Sequence, residues 1–559
     1  MSVRRMVKVV ECEDDVVKNI ENTLSLPHLI ARILCARGMR STAVIESFLS
    51  PQLESLSDPA LLPDMELGVA KTVEVLQRHG KIGLFGDYDA DGITSVALLV
   101  NFLKQVGAVP DVYLPTRDEG YGLNERAIKM FAEKGTSLLI CVDCGSSNRE
   151  EVEKARQLGM ETIVLDHHEV TGDAARPHAL INPKRADSRF PTRELAACGV
   201  TFFFLMALRR ALSEHGLLTE PINLKREMDL AAVGTVADMV PLTGDNRILV
   251  TFGLEVMRQK PRAWFKSFLK KNVVRKGGID EYALGFGIAP RINAAGRVAD
   301  PETALAFLTT DQEQECEELL SRLNEANRKR QGIEESILKE AIEQIETEGV
   351  AGENSLVLFR EGWPIGVLGI AAQRLVERYG KPAVVITRTD EAWRGSARGV
   401  EGLDLHQTIT SLSSLLLNFG GHKHACGITL SGENLLPLRQ AFEREVKEGL
   451  QGFVRQVYVD AVIEFEDLTQ EVVEKIDMLA PFGVGNPRPS LLLPPSTISV
   501  NGGFAKIIDE KKRTWHGSIP RRTTIPDESL VRFVASPTIR EEMGNKFIHL
   551  FIKEFVPAD

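Results

Sequence analysis

Four stretches in the first half of the chain place acids directly behind apolar runs. KIGLF leads into GDYDADG, which carries Asp87, Asp89 and Asp91. SLLICV ends at Asp143, IVL runs into Asp166, His167 and His168, and LAAVGTVA ends at Asp238. A single aspartate in such a place is an ordinary cap or turn residue. Several brought together repel one another, and their proton affinities climb until a cation relieves them. Oxygen donors mixed with imidazole suit Mn2+ or Mg2+, with Mn2+ favoured once histidine takes part. The acids outnumber the needs of one ion, so two ions roughly 3.5–4 Å apart, bridged by a shared carboxylate, are expected. A water held by such ions becomes a nucleophile near neutral pH.

Two other readings compete. Asp87 and Asp89 could be the nucleophile pair of a haloacid-dehalogenase-type phosphatase, which needs neither Asp91 nor the double histidine. The acids could instead all be caps and turns, the better reading for any one of them but not for the set. No GxxxxGK[ST] motif occurs, so no P-loop is indicated. Cys141 and Cys144 form a lone C-x-x-C, with Cys141 inside an apolar strand pattern, and the bland structural reading is preferred.

Side chains so far apart in sequence need a scaffold that brings them together. Residues 81–166 alternate strand patterns (KIGLFG, VPDVYLP, SLLICVD, ETIVLD) with helical ones (93–107, 124–135, 149–160). That alternation predicts a doubly wound parallel sheet. Ligands of such sheets bind outside the carboxyl ends of the strands, where the acids fall. Gly86 and Gly92 let the backbone turn between them. The helix behind them is expected to start near Ile93, its N-terminus facing the site and favouring anions.

Further along, Ile333, Ile337, Ala341 and Ile345 mark one stripe of a long connecting helix within 311–350, solvated on its other faces. SLVLF, a helix from Gly366 to Tyr379 and PAVVI form a second α/β unit. Short strand-like pieces after about 455 predict a β-barrel module. The expected organisation is a helical N-terminal segment (1–60), an α/β catalytic domain (61–310), the connecting helix (311–350), a smaller α/β domain (351–453) and an oligonucleotide-binding-like barrel (454–559).

Composition sets outer limits. The formal net charge of −11 argues against coating nucleic acid by bulk charge, though not against a local basic groove. The first residues lack the apolar core of a signal peptide, and VTFFFLMAL (200–208) is far short of the ~20 residues of a membrane span. Seven scattered cysteines suit a reducing compartment, and the cytoplasm is expected. Lys511, Lys512, Arg513, Trp515, Arg521 and Arg522 form a basic cluster with an aromatic, either a nucleic-acid contact or a solvated loop.

GDYDADG, VDCG, LDHH and GTVADMVPL, in that order, resemble the four motifs of the DHH phosphoesterase superfamily. APRINAAGR, GSARG, GGHKHACG and APFGVGNPRP narrow the resemblance to the RecJ family of single-strand-specific DNA exonucleases, over about residues 60–500. The resemblance implies metal ligation by Asp89, Asp91, Asp143, His167 and Asp238, with Asp143 bridging and Asp87 a further ligand. It implies that His168 contacts the phosphate and that Asp166 orients the imidazole beside it. It names the second α/β unit a DHHA1 domain, with Gly420, Gly421 and His422 facing the substrate. Ser396 and Arg398 match residues that hold the 5′ end of the strand, and Arg117 is expected to join them. Arg291, Asn293 and Arg297 are expected to line the cleft. 5′-to-3′ polarity, a preference for DNA, and work beside single-strand-binding protein and a RecQ-type helicase in repair and recombination are likewise implied. The family commonly reads GWHPGV where this chain reads GWPIGV, so Pro364 takes the place of a histidine. A phosphodiesterase on short oligonucleotides or cyclic dinucleotides, and a non-catalytic single-strand-binding scaffold, are the alternatives.

Overall fold

The computed structural model describes residues 5–170, 174–218, 220–274, 278–389, 392–519, 530–542 and 544–556. The first sheet is wholly parallel, ordered Asp111–Tyr113, Ile82–Gly86, Leu138–Val142, Glu161–Leu165, Ala179–Ile181. Alternate side chains serve opposite faces. Leu138, Ile140 and Val142 enter the larger core with helices Ala90–Gln105 and Ala197–Glu214. Leu139 and Cys141 enter the smaller one with Glu125–Glu133 and Arg149–Gln157. Both faces are covered, so the strands read as continuous apolar runs. Cys141 and Cys144 lie buried in that smaller core, as structural cysteines would.

Register then does the positioning. Gly86 pairs with Val142, Val142 with Leu165, and Leu165 with Ile181. The next residues, Asp87, Asp143, Asp166 and Asn182, therefore stand in one row at the carboxyl rim. The chain leaves Ile82–Gly86 for one neighbour and later returns to the other, so Asp87 and Asp143 flank the switch point where such sheets bind ligands. Asp238 arrives differently, as the C-terminal cap of the helix Met228–Ala237.

The helix Glu313–Glu348 runs for 36 residues and is more than a solvated connector. Its first half puts Cys316, Leu320 and Leu323 into the large core. Its second half packs Ile337, Ala341 and Ile345 against Val367, Ala371 and Leu375 of the second α/β domain. That domain has a mixed sheet, ordered Asn418–His422, Ala425–Leu430, Trp393–Arg398, Ala383–Arg388, Leu356–Phe359. Pro364 is exposed and caps the helix Ile365–Tyr379.

The C-terminal module closes into a barrel. Leu491–Asn501, Phe504–Ile508, Thr514–Ser518, Asn545–Val556 and Val531–Glu542 pair in turn, and the last pairs back to the first. The N-terminal segment returns to this module. Arg5–Val9 pairs in parallel with Arg455–Val459. Val17, Ile30 and Leu34 share a core with Ile463, Leu493 and Phe533.

Arg247 fastens these parts together. It lies buried over the Phe48 ring, 3.7 Å from its centroid. It donates to Phe48 O (2.8 Å), Leu479 O (3.1 Å), Ala480 O (2.7 Å) and, longer, Pro481 O. Ala480 and Pro481 open APFGVGNPRP, Leu479 directly precedes it, and Val484 O of the same motif accepts from Leu242 N at 2.8 Å. The motif thus docks the barrel onto the loop beyond Asp238. Arg247→Met would leave Phe48 O and Ala480 O without this donor, each costing about 1–3 kcal/mol, while Asn486 still donates to Leu479 O and Pro481 O. A lower urea midpoint for the full chain, by the equivalent of roughly 3 kcal/mol, is expected; an unchanged midpoint would refute the clamp.

Candidate metal centre and nucleic-acid cleft

Asp89 caps the helix Ala90–Gln105, accepting from Asp91 N (3.0 Å) and Gly92 N (3.2 Å). The helix therefore begins a turn before Ile93, and Asp91 lies in its first turn. Gly92 is required by close approach: a Cβ there would meet Asp87 N at 2.7 Å and Asp87 O at 2.5 Å. Asn293 Oδ1 accepts from Ala90 N at 2.7 Å, so the APRINAAGR helix braces this turn. Gly296 of that helix lies where a Cβ would sit 2.2 Å from Tyr88 O.

The acids converge. Both oxygens of Asp91 are held by backbone at the start of Ala197–Glu214, from Ala197 N (2.7 Å) and Cys198 N (2.9 Å). His167 Nε2 lies 3.2 Å from Asp143 Oδ1 and 3.9 Å from Asp91 Oδ2, while its Nδ1 lies 3.7 Å from Asp238 Oδ2. Donor atoms of Asp91, His167 and Asp238 fall within 4.8 Å of one another, as do those of Asp87, Asp89 and Asp143, and those of Asp143, His167 and His168. Asp143 is common to the second and third of these groups. Its φ of 61° is a left-handed conformation unusual for a side chain other than glycine. Met239, directly after Asp238, has a φ of 60°.

Electrostatics show what is missing. Burial, reinforced by neighbouring carboxylates, drives Asp87 and Asp143 far above the usual range, Asp91 to about 6 and Asp238 to about 8. Asp238 also sits at the negative end of its helix dipole. Asp87 Oδ1 is buried with no hydrogen-bond partner. Burial pushes His167 down to about 4, so it stays neutral with a lone pair to offer. A hard divalent cation fits this donor set, satisfying the orphaned oxygen and offsetting the repulsion.

His168 behaves oppositely. Burial disfavours its charge, but the Asp166 carboxylate, 2.7 Å from Nδ1, pulls it up to about 9. Burial would likewise raise Asp166, yet the bond from His168 and its charge hold it below the carboxylate range. Asp166 also accepts from Ser146 N (3.0 Å) and His167 N (2.7 Å), which fixes the turn.

A second cationic group lies across the cleft. Arg117 stacks on Tyr88, 4.5 Å from the ring centroid, and its Nε is buried without a partner. Arg398 donates to Ser396 Oγ at 3.1 Å, and Arg297 to Gly366 O at 2.8 Å. Among the described residues none of the three has a carboxylate partner. Burial and the Arg117 charge push Arg297 down to about 9 and lower Arg398. Gly420, Gly421 and His422 form the exposed strand of the adjoining hairpin. Burial, then the charges of His424, Arg398, Lys184 and His168, lower the proton affinity of His422, which marks it as facing the centre. Gly421 has a φ of 143°, and a Cβ there would strike Ala425 O at 2.3 Å.

Arg291 does not join this group. Its guanidinium turns to the long helix, donating to Asn324 Oδ1 at 2.7 Å and to Gly287 O. In the barrel, Glu466 and Asp509 pair with Lys511 and Arg513, so these two cations of the basic cluster are already neutralised. Arg521 and Arg522 lie outside the described residues. Sequence reasoning missed Tyr121, whose hydroxyl donates to Asp143 O at 3.0 Å and lies 3.0 Å from His168 Nδ1. The paired glycines around it, at φ 94° and 91°, were the available signal. Asn182, at the rim behind an apolar triplet, was also missed.

From Met239 a cavity of about 810 Å3 leads to the barrel, lined by Tyr282, Phe286 and Asn293 on one side and Arg540 and Phe551 on the other. Tyr282 and Phe286 are exposed and stack on each other, with centroids 4.5 Å apart.

A parallel sheet with this rim is the core of a DHH phosphoesterase. The family models agree: the DHH family N-terminal domain matches residues 81–235, the DHHA1 domain 352–448 and the RecJ OB domain 459–554. The chain belongs to the RecJ family. It is 34% identical over 486 residues to the single-stranded-DNA-specific exonuclease RecJ of Escherichia coli, covering 83% of each chain. It is 34% identical to the Bacillus subtilis protein of that name, covering 86% of this chain but only 60% of that one. The fold superposes on crystalline Thermus thermophilus RecJ in complex with Mn2+ with a TM-score of 0.84 at 26% identity, over 100% of this chain and 80% of that one. A second structure of that protein is a complex with Mg2+.

A carboxyl with a raised folded-state pKa binds its proton more tightly folded than unfolded. The metal-free protein therefore gains stability as pH falls through about 8 (Asp238) towards about 6 (Asp91). His167, lowered to about 4, opposes this below its ordinary value of about 6.5. A divalent ion supplies the charge the protons would have supplied, so Mn2+ should raise Tm more near pH 8 than near pH 6. Scanning calorimetry with and without Mn2+ checks this, and an equal gain at both pH values would count against the metal centre.

Proposed function

We propose that this chain degrades single-stranded DNA from the 5′ end, hydrolysing phosphodiester bonds to release 5′-mononucleotides in repair and recombination. The observation that carries this reading is the adjacency of two opposite sites. A buried acid row wants divalent cations, and beside it stand arginines without carboxylate partners, suited to a terminal phosphate.

Asp89, Asp91, His167 and Asp238, with Asp143 shared and Asp87 added, would hold two ions. Mn2+ or Mg2+ there supplies the Lewis acidity that polarises a phosphodiester and makes water a nucleophile at neutral pH. His168, kept protonated by Asp166, donates to a phosphoryl oxygen as charge builds on it. Arg117, Ser396 and Arg398 hold the 5′-phosphate, the planar forks of the two arginines suiting its geometry and the serine hydroxyl donating beside them. A fixed distance from that pocket to the ions would set the step at one nucleotide. Gly420 and Gly421 let the backbone of the strand approach, with His422 beside it. Arg297 and Asn293 shape the turn carrying the acids.

The groove past Met239 supports selection of single strands. Exposed stacked aromatics bind unpaired bases, whose faces a duplex hides. The barrel at its far end favours a long strand over a cyclic dinucleotide. A cytoplasmic location, and work beside single-strand-binding protein and a RecQ-type helicase, follow from the same reading. No helix among the described residues is long and apolar enough to cross a membrane.

End-labelled DNA and RNA, single- and double-stranded, with Mn2+, Mg2+ or excess chelator, provide the test. Mononucleotide release from the 5′ end of single-stranded DNA is expected, abolished by chelator. Asp143→Ala should lose at least roughly 10^3-fold in turnover while still binding DNA; persisting activity in either case would overturn the reading. Replacing Tyr282 and Phe286 together by Ala should weaken binding of long strands by about 1–3 kcal/mol per lost stack. Cleavage of a dinucleotide should be spared, and equal losses on both substrates would refute the aromatic path.

A further inference from the structure

Lys184 stands beside the centre and belongs to no motif discussed so far. It follows the strand Ala179–Ile181, two residues beyond the rim position Asn182. The buried Asn182 amide donates to His168 O at 2.9 Å and to Ser146 Oγ at 3.1 Å, and its Oδ1 accepts from Lys184 N at 2.8 Å. One side chain therefore bolts the Lys184 backbone to the Asp-His-His turn.

The lysine side chain is only 17% exposed, and its Nζ reaches Glu169 Oε1 at 3.3 Å and Glu194 Oε2 at 3.1 Å. Those carboxylates are 80% and 56% exposed, so they are solvated and readily released. Glu169 directly follows His168, and Glu194 shortly precedes the helix whose first amides grip Asp91, so Lys184 holds a cation between the two segments that carry His168 and brace Asp91.

We propose that Lys184 is a substrate contact: its ammonium leaves Glu169 and Glu194 to grip a phosphate of the single strand beside the Asp-His-His turn. The proposal rests on the nuclease reading above. A compact ammonium with freely rotating donors suits a phosphate whose position changes as the strand advances, where a guanidinium fork would demand one geometry. The two glutamates hold it poised when no strand is present. A purely structural ion pair would instead need both partners for stability.

The opposite effects expected of the two partners make the test. Steady-state hydrolysis of 5′-phosphorylated single-stranded DNA by the Mn2+-loaded full chain is measured across a salt series, with Tm recorded for every variant. Lys184→Gln should raise KM roughly tenfold, change kcat less, and make the dependence of log KM on log salt shallower by about 0.7. Lys184→Arg should recover part of the loss. Glu194→Gln, which frees the lysine, should lower KM with Tm unchanged. The proposal falls if Lys184→Gln leaves KM and the salt slope unaltered, or if Lys184→Gln and Glu194→Gln lose Tm alike while Glu194→Gln fails to lower KM. Should Lys184→Gln not fold, Lys184→Arg and Glu194→Gln decide by the sign of their KM changes. A wild-type chain that cuts no strand defeats the nuclease reading; a wild type that cuts, with Lys184→Gln indistinguishable from it, defeats this inference alone.

Discussion

Like charge gathered in a buried place is the constraint around which the molecule is arranged. Asp87, Asp91 and Asp143 are almost wholly buried within reach of Asp89 and Asp238. Water would keep them apart and ionised, so the fold must hold them against repulsion in the absence of a cation. It does so with backbone. The sheet register lines up Asp87 and Asp143, helix-terminal amides grip Asp91, and Asp89 is pinned as a cap. Asp143 is kept in a left-handed conformation, and Asp238 at a helix end whose dipole opposes it. Backbone strain of this kind persists where surrounding structure over-determines it, which here means two packed cores on either face of the sheet.

The outer parts follow from the need to bring an anionic polymer to that anionic place. With a net charge of −11 the chain cannot attract DNA everywhere, so cations at the cleft that lack carboxylate partners among the described residues carry the local attraction. Arg117, Arg297 and Arg398 come from two domains, which the long helix with its two cores and the bond from Arg297 to Gly366 O hold in register. Elsewhere many cations are spent on carboxylates, as Lys511 and Arg513 are on Glu466 and Asp509. The barrel is held by Arg247, whose buried charge is spread over backbone carbonyls rather than cancelled by an acid.

Much of this was legible because parallel strands buried on both faces announce themselves as apolar runs, and their ends carry the chemistry. GDYDADG, VDCG and LDHH could be placed on one rim from pattern alone, and the motifs beyond 289 fixed the order of modules. What could not be read depends on contacts remote in sequence. The helix start was set three residues late because Asp89 serves as cap and acid at once. Arg291 sits in a motif that faces the cleft, but its own guanidinium turns to Asn324, a choice set by the path of the long helix. The N-terminal segment returns to a barrel more than 400 residues away through the pairing of Arg5 with Arg455, and nothing local in RMVKV signals its partner. Lys184 was invisible for the same reason: Asn182, reaching back to His168, and the ion pair with Glu169 tie it to the centre through contacts remote from any motif.

The adjacent histidines show how finely burial and one hydrogen bond divide two identical side chains. Consecutive residues beyond a strand end diverge, so His167 turns inward among carboxylates while His168 remains half-exposed toward the cleft. Proximity to acids alone would raise both. His167 ends near 4 because burial outweighs those acids and because the neighbouring imidazole, once charged, repels a second proton. His168 ends near 9 because Asp166 bonds to it directly and stays ionised in doing so. The proton on His168 thus helps to keep the lone pair of His167 free. A single buried carboxylate, Asp166, thereby assigns a donor of electrons to the cations and a donor of protons to the phosphate, one residue apart.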